Sequence, residues 1–241
     1  IIGLKGDNLN EGELNGYVEF EKQDYIDHLI SFETFYNDYQ RKNKIRLRRG
    51  TKNYLQGVVR KIISANELFF EKKGEANFTI IKAAEPFHFS LPGRRFYLSS
   101  GLLRKYIKNE DMLYCVIVYE LIRSEKNLYT KNIIIPTGSL DTNRILSILR
   151  LPSVDKVEIH KWSYYLLKRT GVGPDSYLSW LQVKNRNSLD FSLQLGDIRS
   201  ISREEALFKA FLIEAEKDST RFSKYRGSSK AFYRLLNEIK A

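Results

Sequence analysis

The spacing of hydrophobic and polar positions predicts a chain built mainly of helices. Leu55, Val58, Val59, Ile62 and Ile63 recur at helical spacing and give one strongly amphipathic helix. Further helical segments are predicted at residues 27–39, 102–107, 109–124, 144–149, 157–170, 176–183 and 206–217, and after Ser229. Helices therefore account for most of the ordered chain.

Helix ends are marked by capping residues at several of these segments. The helix over 109–124 begins with Asn109 and two acidic residues, which suit the positive end of a helix dipole. This helix is apolar on nearly all faces, so we expect it at the centre of the fold. Gly171 is typical of a helix C-cap. Residues 202–205, Ser-Arg-Glu-Glu, resemble a capping box that starts the helix over 206–217.

Two short strands are predicted between the helices. Residues 78–84 alternate loosely and contain β-branched side chains, and residues 95–98 follow the turn formers Pro92 and Gly93. Few strands among many helices indicate an α+β fold, rich in helix, with a small sheet.

Composition excludes several classes of protein. With 42% hydrophobic and 13% aromatic residues, the chain of 241 residues is not disordered throughout. The one cysteine, Cys115, excludes an internal disulfide framework, and we expect it to be a small core residue rather than a nucleophile. No apolar run approaches the roughly 20 residues of a membrane-spanning helix.

The chain is basic, with a net charge of +11 and a calculated pI near 9.5. A basic balance favours an anionic partner. The densest basic run contains Lys42, Lys44, Arg46, Arg48, Arg49 and Lys52. This run is either a patch for phosphate groups or anionic lipid, or simply a solvated helix face, and we favour the second interpretation. A basic nucleic-acid-binding protein is therefore one alternative function, although no helix-turn-helix, RNA-recognition or zinc-finger motif accompanies the charge.

Three stretches of the chain, in order, resemble one enzyme family. They are residues 86–103 (PFHFSLPGRRFYLSSGLL), 109–126 (NEDMLYCVIVYELIRSEK) and 158–174 (EIHKWSYYLLKRTGVGP). They are similar to the cleft-lining strand, the active-site helix and the third-ligand helix of zinc metallopeptidases of the HtpX, BepA and CAAX prenyl protease type. The resemblance implies a zincin-like domain over residues 46–241 with a small, mostly antiparallel sheet. Residues 1–45, an N-terminal arm and helix, carry no resemblance.

The active-site helix departs from the family's pattern at the zinc ligands. That pattern, H-E-x-x-H, places two imidazoles on one helix face, with a glutamate that polarises the zinc-bound water. Here the positions read Tyr119, Glu120 and Arg123, so the base is present and both histidines are absent. Glu158 matches the third ligand, but one carboxylate does not hold zinc where three protein ligands are usual. We therefore expect no zinc and no catalytic residue.

The resemblance assigns five further residues to the lining of the cleft. They are His88, Phe89, Arg94, Arg95 and His160. A metal site rebuilt around His88 is a second alternative, which would make the chain an active metallopeptidase with a relocated metal. It is disfavoured because the chain has only three histidines.

These observations favour a catalytically inactive metallopeptidase-like protein that acts as a binding or scaffold module. By the family's usual places, we expect it in the bacterial cell envelope or periplasm, with lipid anchoring and association with a membrane surface left open. Met112 is the only methionine, so we also expect residues before Ile1 to have been removed. Nucleic acid is a disfavoured partner.

Two structural hypotheses follow from the resemblance. In the first, a protein or peptide partner adds a strand to the cleft edge between His88 and Arg95. In the second, the Arg123 guanidinium takes the place of the zinc ion and neutralises Glu120 and Glu158, with Tyr119 beside them.

Overall fold

The computed structural model describes residues 22–70, 74–129, 140–173, 175–215 and 227–240. Most of the predicted N-terminal arm, residues 1–21, lies outside the described residues. The described helices are α1 (Lys22–Tyr39), α2 (Arg49–Ala65), α3 (Glu110–Lys126), α4 (Thr142–Ile148), α5 (Ser153–Thr170), α6 (Asp175–Arg186), α7 (Ser192–Leu195), α8 (Ser200–Ala215) and α9 (Lys230–Lys240), with a π-helical segment at Leu102–Tyr106.

Four strands form one small mixed sheet. They are β1 (Lys44–Ile45), β2 (Asn77–Ile81), β3 (His88–Leu91) and β4 (Arg95–Ser99), in the spatial order β1-β2-β4-β3. The outer two pairings are antiparallel, and β2 runs parallel to β4. The predicted α+β class is therefore confirmed, and β3 lies at one edge of the sheet.

Alternation along β4 divides the hydrophobic interior into two clusters. Phe96 and Leu98 pack into the larger cluster with α2, α3, α5 and α6. Tyr97 points to the opposite face, where it packs with Phe32 and Tyr36 of α1 and Phe89 of β3. Because α1 covers this face and β1 belongs to the sheet, residues 22–45 share the core of the rest of the chain.

Helix α3 is the central helix, as the sequence predicts. Residues Met112–Ser124 are all buried, Cys115 among them. Asn109 caps its start, since the Asn109 side chain accepts a 2.9 Å hydrogen bond from the Met112 amide. Asn127 ends the helix in the left-handed conformation.

The predicted capping box at residues 202–205 is wrong. Helix α8 already begins at Ser200, so Glu204 and Glu205 lie inside it. Glu204 is fully buried and pairs with His160 and Lys156. Tertiary ion pairing therefore outweighs the local capping pattern here.

The basic run does not lie on one helix face. It spans the turn after α1, strand β1 and the start of α2, and its lysine and arginine side chains are exposed. Within the described residues, no helix is long and apolar enough to cross a bilayer.

We expect Gly101→Ala to lower the free energy of unfolding by about 1–3 kcal/mol. A Cβ at Gly101 would lie 2.0 Å from the Ala84 carbonyl oxygen, so the backbone would have to move. Urea unfolding at neutral pH measures this change. Gly57→Ala is the control, because nothing lies within 4 Å of its Cβ, and alanine at this exposed position in α2 should stabilise by about 0.5–1 kcal/mol. Equal effects of the two changes would contradict the close contact.

Candidate functional site

Tyr119, Glu120 and Arg123 of α3, which the resemblance aligns with a metal-binding motif, lie inside the protein. Glu120 is fully buried, and Tyr119 and Arg123 are 8% and 4% exposed. Helix α3 packs between the edge strand β3 and helix α5, so this face of α3 meets side chains from both. The site is thus an enclosed polar cluster at the junction of three elements.

Both carboxylate oxygens of Glu120 are occupied. Glu120 Oε1 lies 2.6 Å from His88 Nδ1 on β3. Glu120 Oε2 accepts a 2.8 Å hydrogen bond from the Ser90 hydroxyl and lies 3.4 Å from an Arg123 guanidinium nitrogen. A water-activating glutamate needs an oxygen free to accept a proton, and neither oxygen of Glu120 is free.

Arg123 is held by the protein rather than by solvent. Its second terminal nitrogen donates a 2.6 Å hydrogen bond to the Leu149 carbonyl. The guanidinium carbon lies 5.6 Å from the centre of the Tyr129 ring and 6.0 Å from that of Tyr119. Cation–π contacts of this length add to the pairing with Glu120. The predicted pairing of Arg123 with Glu120 is therefore present.

Burial and charge act in opposite directions on the Glu120 pKa. Burial raises this pKa, but the Arg123 charge and the hydrogen bond from His88 outweigh it and lower the pKa from 4.5 to about 2. Burial also lowers the pKa of His88 below 6.5. At neutral pH the cluster therefore holds an ionised Glu120, a neutral His88 and a charged Arg123.

The state of Glu120 decides the tautomer of His88. An ionised carboxylate only accepts hydrogen bonds, so His88 Nδ1 carries the hydrogen and donates it to Glu120. His88 Nε2 is then an acceptor, and it is buried without a hydrogen-bond partner.

A second buried cluster, which the sequence analysis missed, lies beside the first. His160 Nε2 on α5 lies 3.3 Å from Glu204 Oε2 on α8, and His160 Nδ1 lies 2.8 Å from the Tyr177 hydroxyl. Lys156 also pairs with Glu204, at 3.2 Å. Burial raises the Glu204 pKa, but His160 and nearby lysine charges lower it overall to about 2. Because residues 202–205 resemble a capping box, the sequence predicts Glu204 at the start of a helix and not as a buried carboxylate.

Tyr119 and Lys184 lie between the two clusters. The Tyr119 ring centre lies 5.8 Å from that of His88 and 5.6 Å from that of His160. Burial raises the Tyr119 pKa above 10, so the phenol stays protonated and is a poor metal ligand. Burial lowers the Lys184 pKa from 10.5 to about 8, against the opposing effect of Glu204 and Glu120.

Glu158 does not belong to the site, and this part of the prediction is wrong. Its side chain is 59% exposed and lies 3.6 Å from Lys161 on the same helix. His160, two residues later, points inward instead, because residues two apart on a helix face nearly opposite sides. Arg123 therefore neutralises Glu120 alone.

Four further predicted cleft residues are largely enclosed. His88, Phe89 and Arg94 are at most 3% exposed, and His160 is 1% exposed, so their side chains are core residues rather than the lining of an open cleft. Arg95 is partly exposed.

Both arginines at the β3–β4 turn have acidic partners inside the chain. Arg94 Nε pairs with Glu125 at 2.5 Å and Arg95 Nε with Glu33 at 2.6 Å. The charge of both arginines is therefore already compensated by glutamates of the same chain.

The outer edge of β3 has one amide partner from the chain itself. In the ladder with β4, the alternation of an antiparallel pair points the amides of His88 and Ser90 away from β4. The His88 amide donates a 2.7 Å hydrogen bond to the Gln194 side chain on α7. A partner strand would have to displace Gln194.

The two buried clusters consist of pairs between carboxylates and basic side chains. Among the described residues, no group of three or more His, Cys, Asp or Glu side chains is placed to hold a metal. A relocated metal site therefore finds no support in this part of the chain. Comparison with protein-family models gives no match, and comparison with curated protein sequences gives none. The metallopeptidase resemblance thus stays a prediction from the three sequence stretches.

Removing the Arg123 charge should destabilise the fold strongly. We expect Arg123→Ala to cost about 3–5 kcal/mol at pH 7, because it leaves Glu120 ionised and buried without its cation. The cost should shrink as the pH falls, since protonation of Glu120 then relieves the variant. In the parent protein, by contrast, the free energy of unfolding falls as the pH falls. The folded pKa of Glu120, about 2, lies below the ordinary value of 4.5, so the stabilisation by this carboxylate is complete above about pH 4.5 and is lost towards pH 2.

Urea unfolding between pH 3 and 8 measures both effects. The double variant Glu120→Gln/Arg123→Met should lose less stability than Arg123→Ala, because it removes both charges. Lys161→Ala, which breaks only the exposed pair with Glu158, should change stability by less than about 0.5 kcal/mol. An Arg123→Ala variant as stable as Lys161→Ala would contradict the buried pair.

Proposed function

We propose that this chain is a metallopeptidase-like protein without peptidase chemistry, which acts as a binding or scaffold module of the bacterial cell envelope. The proposal keeps the zincin-like reading of α3, β3 and α5. The observation that carries it is the buried Glu120–Arg123 pair on α3, at the positions where the resembling family has its catalytic glutamate and second helix histidine.

The contacts of the general-base position support a non-catalytic role. Glu120 pairs with a guanidinium that never deprotonates, and its other oxygen accepts from His88. A pKa of about 2 makes Glu120 a very weak base. Without metal, water has a pKa near 15.7, so such a base cannot generate a hydroxide nucleophile.

The relative placement of α3, β3 and α5 supports the zincin-like part of the proposal. A zincin presents two ligands from one helix and a third from a neighbouring helix, next to an edge strand. Here the residue 119 ring lies within 6 Å of imidazole rings on both neighbours, His88 and His160. His88, Tyr119 and His160 thus converge beside Glu120, whereas Glu158, at the family's third-ligand position, faces solvent.

Restoring the two helix histidines should restore zinc binding. We expect the parent protein to hold no zinc that resists dialysis, and Tyr119→His/Arg123→His to hold about one zinc per chain, with His160 as third ligand. Elemental analysis of the dialysed proteins measures this, and circular dichroism verifies that each variant is folded.

The matched control for zinc is Tyr119→Phe/Arg123→Lys, which changes the same positions without adding a ligand. Stoichiometric zinc in the parent protein, together with chelator-sensitive cleavage of casein, would overturn the inactive role. A folded double-histidine variant that stays free of zinc would overturn the zincin-like geometry.

The binding role rests on the edge of β3. His88 and Ser90 are 2% and 0% exposed, so an extended segment could bond to their outward amides only after the groups that cover this edge, Gln194 among them, have moved away. Unfolded casein serves as a probe because it offers extended backbone of many sequences and also reports cleavage.

We expect fluorescent casein to bind and stay intact, and Gln194→Ala to bind it several-fold more tightly by freeing the His88 amide. Fluorescence anisotropy measures the affinity, and gel electrophoresis measures cleavage. Gln56→Ala is the control. Gln56 lies on α2 and donates to the Ala76 carbonyl, so this change also removes a bond between a glutamine side chain and the backbone, but away from β3. No difference between the two variants would contradict binding at this edge.

A further inference from the structure

A basic cavity lies where β2 and α9 end. Two adjoining cavities of about 490 and 430 Å³ share Lys82, Ser100, Arg104 and Lys240 in their walls, and Lys105 borders the larger one. Among the described residues, no aspartate or glutamate belongs to either wall. The concave surface therefore gathers four cations and no compensating carboxylate.

These cations differ from the arginines of the described residues that pair with glutamates. Within the described residues, none of the four makes an ion pair or a side-chain hydrogen bond, and all four are exposed. Arg94, Arg95 and Arg123, by comparison, each pair with a glutamate. Mutual repulsion of like charges in a concavity is relieved by an anion.

The backbone around this cavity is specialised. Arg104 and Lys105 lie on the π-helical segment, a rare conformation that is frequent at functional sites. Gly101 precedes it and packs directly on the Ala84 carbonyl, where a Cβ would lie 2.0 Å from the oxygen. Gly101 also donates its amide to the Ala83 carbonyl at 2.8 Å, which ties the cavity floor to the end of β2. The floor is thus rigid, while the cationic side chains at the rim can turn towards a ligand.

We propose that this cavity binds a phosphate group. A phosphate dianion matches the charge and the donors of the rim, since Arg104 offers a planar fork for bidentate bonds and three lysines offer ammonium groups. The cavity holds a phosphate ester with room to spare. The group is either part of a soluble phosphate ester or the headgroup of an anionic phospholipid. This site does not depend on the proposed loss of peptidase activity.

The test uses the full chain and two probes: inorganic phosphate, and phosphatidylcholine vesicles with and without phosphatidic acid. Calorimetry at constant ionic strength measures phosphate binding, and co-sedimentation measures vesicle binding. Lys82→Gln/Arg104→Gln removes two cations of the cavity. Arg169→Gln/Arg203→Gln removes the same charge from exposed positions on α5 and α8 and is the matched control.

We expect the cavity variant to weaken binding of at least one probe about tenfold or more, and the control to change it less than twofold. If inorganic phosphate binds saturably, and the cavity variant but not the control weakens this binding, a soluble phosphate ester is the ligand. Vesicle binding with this pattern, without saturable binding of inorganic phosphate, identifies the lipid headgroup. Equal weakening in both variants would show a general effect of net charge and overturn the site, as would no binding of either probe. Circular dichroism verifies that both variants are folded.

Discussion

The ionised carboxylate of Glu120, buried in the middle of the central helix, is the constraint on which the rest of this structure depends. An isolated carboxylate in such a place would cost several kcal/mol, so its neighbours have to supply charge and hydrogen bonds. Arg123 supplies the charge, and His88 and Ser90 on β3 supply the hydrogen bonds. One side chain thereby joins α3 to the edge of the sheet.

A second buried carboxylate, on α8, also needs charge and hydrogen bonds from its neighbours. Glu204 on α8 is as deeply buried as Glu120; Lys156 on α5 supplies the opposite charge, and His160 on α5 supplies a hydrogen bond. Tyr119 fills the space between the two clusters and keeps its proton. Each negative charge is therefore matched within its own cluster, and each imidazole is oriented by a carboxylate. Apart from Lys184, whose pKa of about 8 lies close to neutral pH, the paired charges of the two clusters keep their state at neutral pH.

Charge is distributed differently at the surface. The buried arginines have partners, whereas Lys82, Arg104, Lys105 and Lys240 surround a cavity without one. The net charge of +11 is thus not spread evenly over a solvated surface, and part of it is concentrated where an anion fits. Residues 42–52 form the densest basic run of the sequence. Among the described residues, only Ile45 from this run lines the cavity. The cations of this basic site come from three places in the chain: the residue after β2, the π-helical segment and the end of α9.

Local sequence determined most of the helices, because hydrophobic spacing and caps act over a few residues. The α3 cap at Asn109, the buried run of α3 and the left-handed Gly171 after α5 all agree with prediction. Strand β1 escaped the pattern analysis, since two residues carry little periodicity. A strand at β3 was expected from the resemblance, although β3 is buried at every position and shows no alternation.

The sequence also determined that Tyr119, Glu120 and Arg123 lie close together on a single helix, since spacing on one helix needs no tertiary information. Only the tertiary structure decided which carboxylate and which histidine join them. Glu158 and His160 are two residues apart on α5, and packing against α3 turned His160 inward and Glu158 to solvent. Glu204 lies more than eighty residues from Glu120 and looked like a helix cap. Its burial beside His160 depends on how α8 packs on α5, a long-range contact that no local pattern encodes.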